Sequence, residues 1–270
     1  MRDLVEGGWR AGGTVTFAAT QAHRLGLHVG VVTRAASDFD VAAALGVADV
    51  IHHASETTTC FENMYGDGRR RQRVPSQAVA ITSADVPPAW REAPVVLIGP
   101  VLGEVPDDLC GLFSDDSLVG VSAQGWLRRL DAARRVVARC WTGAAFWKGC
   151  DAVFVSDEDL DDCEALLRRW EREVPVVAMT EAWRGVRVHT DGAWRHIDAF
   201  PETEVDPTGA GDTFATAFLI RLRETRDVAQ AARFGAAAAS LSVAGDAAEA
   251  IGTRAQIEER LERNPDVVLR

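Results

Sequence analysis

The 270-residue chain has no run of about 18 consecutive apolar residues, the length that a membrane-spanning helix needs. Nor does its amino end carry the basic and apolar segments of a signal peptide. Basic residues are scarce: 29 face 40 acidic ones, for a formal net charge of −11. An acidic chain is a poor default partner for nucleic acid or for an anionic membrane, so we expect neither. A locally positive site can still hold a polyanionic substrate.

Cysteine is also sparse, and it lacks the spacing of a metal site. There is no CxxC pair among the five cysteines, which are Cys60, Cys110, Cys140, Cys150 and Cys163. An odd and scattered set of this kind is typical of reduced thiols in the cytoplasm. The sequence therefore predicts a cytoplasmic protein that is neither membrane-spanning nor secreted.

Short apolar runs recur along the chain, at residues 29–33, 48–52, 95–99, 118–122, 152–156 and 176–180. They are continuous rather than alternating, as expected for strands buried on both faces of a parallel sheet. Helical spacing separates several of them, at residues 14–25, 160–170, 213–222 and 229–243. This alternation predicts an α/β fold, a doubly wound and mostly parallel sheet with helices on both faces. We expect one domain over residues 1–270. Residues 126–147 fit either a helix or a bent β segment.

Residues 57–74 break the rhythm of strand and helix. Two β-prone arms flank Gly66-Asp67-Gly68, which is a strong hairpin signal. Four arginines on the second arm indicate a projecting flap rather than a core strand: Arg69, Arg70, Arg71 and Arg73. A solvated edge hairpin without a role would show the same pattern.

The most informative segment is residues 204–214, EVDPTGAGDTF. A polar turn with two glycines opens into an apolar-periodic helix, so several backbone N–H groups point at one spot where the helix dipole favours an anion. Asp212 places a carboxylate beside that spot. Such a carboxylate is suited to take a proton from a hydroxyl that attacks phosphorus. A plain glycine turn followed by an acidic first helical turn is the alternative explanation.

The run DPTGAGDTF resembles the C-terminal signature of the PfkB (ribokinase-like) carbohydrate kinases. The resemblance implies a ribokinase-like fold in which Gly209, Ala210 and Gly211 form an anion hole and Asp212 is the catalytic base. It also implies ATP as phosphoryl donor, with Mg²⁺, and a small alcohol as acceptor.

The family resemblance extends to the amino end, where Gly12-Gly13 stands at the place of a glycine pair that contacts the acceptor. By the same resemblance, Asp3 corresponds to an aspartate that grips two substrate hydroxyls. Ribokinase-type members carry an asparagine four residues after the second glycine, but this chain has Phe17 there. That difference argues against a ribose-type contact. Asp3 would follow the first strand of the fold, and this strand is missing from the sequence, so we expect the natural product to begin upstream.

On the nucleotide side, residues 180–185 (TEAWRG) resemble the family's T-x-G-x-x-G segment. This places Thr180, Ala182 and Gly185 near ATP, with Ala182 replacing the first glycine. Ala236, in an alanine-rich helix, would wall the adenine pocket. Ser156 and Asp159 stand where many members have N-x-x-E, so Asp159 is the candidate for the Mg²⁺ shell. Helix capping is an alternative role for this acidic turn.

Three segments together resemble a branch related to inositol kinases: QGWLR at 124–128, TTTCFEN at 57–63 and EVDPTGAGD at 204–212. The resemblance implies ATP-dependent phosphorylation of a sugar, a polyol or a related small alcohol. Residues 57–74 would then form a lid over the acceptor, with Asn63 among its contacts, and the lid would also be the surface of a homodimer. A nucleoside or vitamin kinase and a non-catalytic ligand-binding relative are the alternatives.

Overall fold

The computed structural model describes residues 1–66, 69–141, 148–160 and 163–270. Within these ranges the strands are β1 (Arg2–Val5), β2 (Gly8–Ala11), β3 (Gly30–Ala35), β4 (Asp49–Ala54), β5 (Cys60–Gly66), β6 (Arg69–Ser76), β7 (Val95–Ile98), β8 (Leu118–Ser122), β9 (Arg128–Leu130), β10 (Val136–Ala138), β11 (Ala152–Ser156), β12 (Val176–Thr180), β13 (Val186–Thr190) and β14 (Ala193–Ile197). The helices are α1 (Thr14–Arg24), α2 (Val41–Leu45), α3 (Glu164–Glu173), α4 (Ala210–Thr225), α5 (Val228–Ser242) and α6 (Arg254–Arg263).

The largest sheet has the strand order β14-β13-β12-β11-β8-β7. Its strands are parallel from β7 to β12, and β13 and β14 add an antiparallel edge. Ser156 pairs with Thr180, so β11 and β12 end at the same edge of the sheet. Polar side chains that end parallel strands therefore meet there, the edge at which such sheets bind ligands.

Both faces of this sheet are buried, which explains the continuous apolar runs. Along β11, Val153 and Val155 join one hydrophobic cluster, whereas Phe154 joins the other. Helix α3 covers the first face through Leu166 and Trp170. Helices α4 and α5 cover the second face. The predicted doubly wound, mostly parallel sheet with helices on both faces is confirmed.

Helix α4 packs closely on the sheet. Phe154 meets Phe218 edge-on, with ring centroids 5.4 Å apart. On β8, a Cβ at Gly120 would lie 2.6 Å from Leu219, so glycine allows the helix to approach the strand. This packing fixes the position of the amino end of α4 relative to the ends of the parallel strands.

A second, four-stranded sheet has the order β2-β1-β5-β6, and we call it the lid sheet. The predicted hairpin within residues 57–74 is its β5–β6 pair, although Asp67 and Gly68 of the predicted turn lie outside the described residues. The hairpin does not stand alone, because β1 pairs parallel with β5. Smaller pairs are β3–β4 and β9–β10. The last pair shows that β structure, rather than a helix, follows Trp126.

The expectation of five reduced thiols is wrong for two cysteines. Cys140 and Cys163, 23 positions apart in the chain, form a disulfide with Cα atoms 5.6 Å apart. Cys60, Cys110 and Cys150 are free. Among the described residues, no helix is both long and apolar enough to cross a membrane. The expected position of Asp3 after a strand is wrong, because Asp3 lies within β1. The single-domain boundaries and an additional strand upstream stay predictions.

Candidate active site

The segment 206–212 forms a tight turn at the amino end of α4. Gly209 adopts φ +80°, in the left-handed region, and is the residue before the first turn of the helix. A Cβ at this position would lie 2.2 Å from the ring of Phe17, so both the backbone angle and the neighbouring ring require glycine. The predicted opening of a helix at this point is confirmed, although irregular chain rather than a strand directly precedes it.

The space beside Gly211 is open. Apart from its chain neighbours and the backbone of its own helix, a Cβ there would meet no atom of the described residues within 4 Å, and no side chain of the described residues caps the helix. The N–H of Ala210 is bonded to the carbonyl of Pro207 at 3.2 Å, but the open position beside Gly211 still lies at the end of α4 where the helix dipole favours an anion. This is the geometry that an anion hole needs.

Asp212 lies in that first turn, half-buried. Burial raises the pKa of its carboxyl to about 6, against the opposing effects of hydrogen bonds from Thr14 and Ser122 and of the charge of Arg128. The hydroxyl of Ser122, at the end of β8, is 3.5 Å from Oδ1 of Asp212. A carboxylate with this pKa is ionised near neutral pH and is more basic than an ordinary aspartate, which suits proton abstraction.

Thr14 reaches Asp212 because two glycines make room for it. It is the first residue of α1, and Gly13 before it adopts φ +81°. A Cβ at Gly99, just after β7, would lie 2.1 Å from the Thr14 methyl group. The ends of β7 and β8 and the amino ends of α1 and α4 therefore converge on one carboxylate.

A second polar group lies beside this carboxylate. Asp159 accepts hydrogen bonds from Nε2 of Gln124 at 3.1 and 3.3 Å, and Nη2 of Arg128 lies 3.5 Å away. Arg128 is mostly buried and is close enough to influence Asp212 electrostatically. Arg128 and Asp159 border a cavity of about 410 Å³, together with Arg71, Asp131, Arg135 and Glu158. A guanidinium group held in this way can face an anionic group at the helix terminus.

The hydrogen-bond partners of Asp159 affect its predicted role in a Mg²⁺ shell. Its carboxylate is occupied by an amide and faces a guanidinium, which compete with a cation. Among the described residues there is also no group of three or more His, Cys, Asp or Glu side chains arranged to hold a metal ion. The residues do not form a dedicated protein metal site, so a Mg²⁺ ion would be held mainly by phosphates and water.

The predicted acceptor residues come together at the lid sheet. Asp3, on β1, is buried, and a Cβ at Gly12 would lie 2.0 Å from its Oδ2 atom. Asp3 pairs in register with Phe61 of β5, so Asn63, two residues further along, lies on the same face. Asn63 accepts a hydrogen bond from Nε2 of Gln72 at 3.0 Å. Asp3, Gly12 and Asn63 thus share one region. Phe17 does not face this region, because it is buried beneath Gly209.

The predicted nucleotide segment is a tight turn after β12. Thr180 ends the strand, and Gly185 needs to be glycine because it adopts φ +109° and a Cβ would lie 2.1 Å from the Ile197 carbonyl oxygen. Ala182 adopts φ +50°, a left-handed angle that strains a residue with a side chain. Trp183 beside it is 80% exposed. Ala236 is buried in α5, within the core cluster on that face.

Comparison with known proteins agrees with this geometry. A model described as pfkB family carbohydrate kinase matches residues 141–251. Inositol 3-kinase of Oryza sativa subsp. japonica is 29% identical over 263 residues, which cover 85% of this chain and 62% of that protein. The chain is therefore similar to the PfkB family over residues 141–251 and to an inositol 3-kinase over most of its length. Ribokinase of Bacillus subtilis is 44% identical over 84 residues, but this match spans only 31% of the chain and 29% of that protein.

Solved structures extend the likeness to nearly the whole chain. A ribokinase-family pyrophosphate-dependent kinase, complexed with a pyrophosphate analogue and myo-inositol, is 25% identical with a TM-score of 0.76. The match covers 97% of this chain and 95% of that one. Ribokinase of Arabidopsis thaliana, complexed with ribose and ATP, has a TM-score of 0.72 at 20% identity, covering 94% and 88%. The ribokinase-like fold is therefore established.

Sequence reasoning did not assign the side chains that surround Asp212. Thr14 and Arg128 both stand in quoted segments, after Gly12-Gly13 and at the end of QGWLR, but neither received a role. Ser122 carries no local signal beyond its place at the end of a buried strand. Their convergence depends on the order of strands in the sheet, which a single sequence does not show.

Proposed function

We propose that this protein transfers a phosphoryl group to a hydroxyl of a sugar or of an inositol-like polyol. The observation that carries the proposal is the Asp212 carboxylate, raised in pKa to about 6 and placed beside the uncapped first turn of α4. One group can accept the hydroxyl proton while the adjacent N–H groups stabilise the charge on the phosphoryl group. A turn with only a structural role, or a site that only binds an anion, needs no basic carboxylate beside the uncapped helix end.

In this proposal the acceptor lies between the lid sheet and the α4 terminus. Asp3, Gly12, Gly13 and Asn63 position its hydroxyl groups, and Asp212 takes the proton of the attacking one. A bond forms between that oxygen and phosphorus, and the bond from phosphorus to the donor's leaving oxygen breaks. Gly209, Ala210 and Gly211 supply the backbone of the anion hole, and Arg128 adds a positive charge. Mg²⁺, carried on the donor's phosphates, would neutralise part of their charge.

The family relationship supports ATP as donor, with its phosphates beside Thr180, Ala182 and Gly185 and its base near Ala236. Pyrophosphate is a second candidate donor. The observation in its favour is the similarity to a kinase that uses pyrophosphate, over 97% of this chain. Arg128, whose charge reaches Asp212, suits either donor, because both present a diphosphate.

The acceptor class has its own alternative. Cytidine kinase of Thermococcus kodakarensis is 26% identical over 83% of this chain and 84% of that protein. A nucleoside is therefore the second candidate acceptor, after the inositol-like polyol. A vitamin acceptor or a non-catalytic relative has no such observation behind it.

The test is phosphoryl transfer from ATP and, separately, from pyrophosphate to a panel of inositols, sugars and nucleosides, with detection of the phosphorylated product. We expect product with at least one polyol or sugar and its loss in Asp212→Asn. If only a nucleoside yields product, the acceptor is a nucleoside rather than a sugar or polyol. No product from any pair, with a thermally stable protein and no shift in its melting temperature by either donor, would show a non-catalytic relative.

Asn63 provides a matched test of the lid sheet. Asn63→Ala should raise the KM for the acceptor more than it lowers kcat, because Asn63 shares a sheet face with Asp3. Glu62→Ala, next to it on the opposite face and paired with Arg73, is the control. Equal effects of the two substitutions would contradict the placement of the acceptor. If the substitutions change only the oligomeric state and not the kinetics, the β5–β6 hairpin is a subunit interface, as the predicted dimer requires.

A further inference from the structure

Arg10, on β2 of the lid sheet, connects three parts of the molecule that are far apart in the chain. Its Nη2 atom lies 2.8 Å from Oδ2 of Asp206 and donates to the Thr208 hydroxyl at 3.4 Å. Its Nη1 atom donates to Oδ1 of Asp246 at 2.8 Å, beyond the end of α5. A side chain of the lid sheet therefore holds the loop that leads into Gly209.

Asp206 shows why this contact matters for the loop. Its other carboxylate oxygen, Oδ1, accepts the backbone N–H of Thr208 at 2.9 Å. The backbone N–H of Asp206 is bonded to the carbonyl of Val243 at 3.2 Å. One carboxylate thus sets the backbone of the turn on one side and binds Arg10 on the other. Losing Arg10 would free the carboxylate that orients the two residues before the anion hole.

Charge gives a second reason. Asp206 is only 17% exposed, and burial alone would raise the pKa of its carboxyl. Hydrogen bonds from Thr208 and Arg10 instead hold that pKa below its ordinary value. The carboxylate is therefore charged, and it lies within the loop that must receive an anion. Without Arg10, this negative charge would be uncompensated and would repel the phosphoryl group.

The opposite side of Arg10 faces the acceptor region. In the β1–β2 hairpin, Arg10 is the direct cross-strand partner of Asp3. Cross-strand partners lie on the same face of a sheet, and the charge of Asp3 contributes to raising the pKa of Arg10, although burial alone would lower it. Arg10 thus stands between the acceptor aspartate and the loop of the anion hole.

We propose that Arg10 is a positioning residue that couples the acceptor site to the phosphoryl site, so that transfer to an alcohol is favoured over loss of the phosphoryl group to water. This inference rests on the proposed function. Displacement of the lid sheet would move Arg10, and with it the carboxylate that shapes the turn. An acceptor bound at Asp3 then stabilises the arrangement in which the anion hole is formed.

The test compares Arg10→Met, Arg10→Lys and the control Arg2→Met. Arg2 lies on the same hairpin, but its guanidinium binds Asp38 instead. With donor and polyol present, Arg10→Met should lower kcat by about tenfold or more and raise the fraction of donor lost to water. Arg10→Lys, which keeps the charge but not the fork, should recover part of kcat. Arg2→Met should stay close to wild type in both measurements.

Binding of pyrophosphate alone, measured by calorimetry, separates this inference from the proposed function. Arg10→Met should weaken binding by about tenfold or more, and the double variant Arg10→Met/Asp206→Asn should recover much of it, because the uncompensated carboxylate is gone. If the protein binds pyrophosphate in this pattern but phosphorylates no alcohol, the proposed function fails and the role of Arg10 in the loop stands. The inference is overturned if Arg10→Met matches Arg2→Met in pyrophosphate binding and in donor loss. It is also overturned if a lower melting temperature accounts for all changes in Arg10→Met.

Discussion

The ring of Phe17 leaves room for glycine alone at position 209, where a Cβ would lie 2.2 Å from the ring. For Gly211, two residues further on, no atom of the described residues outside its chain neighbours and its own helix backbone lies within 4 Å of a Cβ. Both glycines belong to the same turn, yet one is enclosed by protein and the other faces open space. The first therefore serves the fold, and the second leaves room for a ligand.

This contrast predicts that alanine substitutions at the two positions fail in different ways. Gly209→Ala should destabilise the protein by about 2 kcal/mol or more, because φ +80° and the Phe17 ring both oppose a side chain. Gly211→Ala should keep or slightly raise stability, since alanine favours a helix, yet it should lose most activity. Thermal melts and initial rates check both. Equal loss of stability in the two variants would contradict the assignment of the open space to a phosphoryl group.

The pH dependence of the reaction should follow Asp212. A general base acts only when deprotonated, and the pKa of this carboxyl is raised to about 6. We expect kcat/KM to rise with pH and to level off above about 6. In Asp212→Asn, kcat should fall by about 10²- to 10⁴-fold and this rise should vanish. A residual rate in Asp212→Asn with the wild-type pH profile would assign the titration to another group.

The same raised pKa should appear in the stability of the protein. The unfolded chain loses this proton near pH 4 and the folded chain near pH 6, so the folded state loses stability as pH rises between these values. Asp212→Asn removes that cost. It should therefore be more stable than wild type by about 2–3 kcal/mol above pH 6 and by little below pH 4. Denaturant melts at pH 4, 5, 6 and 7 measure the difference, and a difference that does not change with pH would exclude the raised pKa.

Much of the fold could be predicted because its signals are local. Val153 and Phe154 face opposite clusters, so a strand buried on both sides shows a continuous apolar run. The β13–β14 hairpin at the edge of the sheet and the short β1–β2 hairpin carry weaker apolar runs, and the sequence analysis did not predict them. The surroundings of the site depend on distant pairs. Arg10 and Thr208 are 198 residues apart, and no local pattern indicates that they meet.

Backbone angles could not be predicted from the sequence either. The sequence alone leaves open whether the methyl group of Ala182 matters, since a negative φ would make it harmless. The structure gives φ +50°, so alanine replaces the family's glycine at a position whose backbone still has the glycine conformation. The turn therefore holds an alanine at a backbone angle that favours glycine.

This strain predicts a stabilising substitution. Ala182→Gly should raise the free energy of unfolding by about 0.5–1 kcal/mol, since relief of the left-handed strain exceeds the added flexibility of the unfolded chain. It should also lower the KM for the donor if the methyl group narrows the approach of a phosphate. Ala193→Gly, at the start of β14, is the control and should destabilise. If both variants lose stability, the turn at Ala182 is not strained.

The role of Asp159 can be decided between metal binding and positioning. Its carboxylate is bonded to Gln124 and lies 3.5 Å from Arg128, so we expect Asp159→Asn to release the arginine and lower kcat by about tenfold. The Mg²⁺ concentration needed for half of the maximal rate should change little. Glu158→Gln is the matched control, because Glu158 is the adjacent carboxylate and is exposed.

A magnesium titration at saturating donor gives the decisive comparison. If Asp159 belonged to the Mg²⁺ shell, as the family's N-x-x-E pattern implies, Asp159→Asn would need about tenfold more Mg²⁺ and excess metal would restore kcat. If it positions Arg128, no concentration of Mg²⁺ restores kcat. Arg128→Met should then produce a similar loss of kcat, and the double variant should be little worse than either single one, because both substitutions break the same contact. Additive losses in the double variant would show that the two residues act separately.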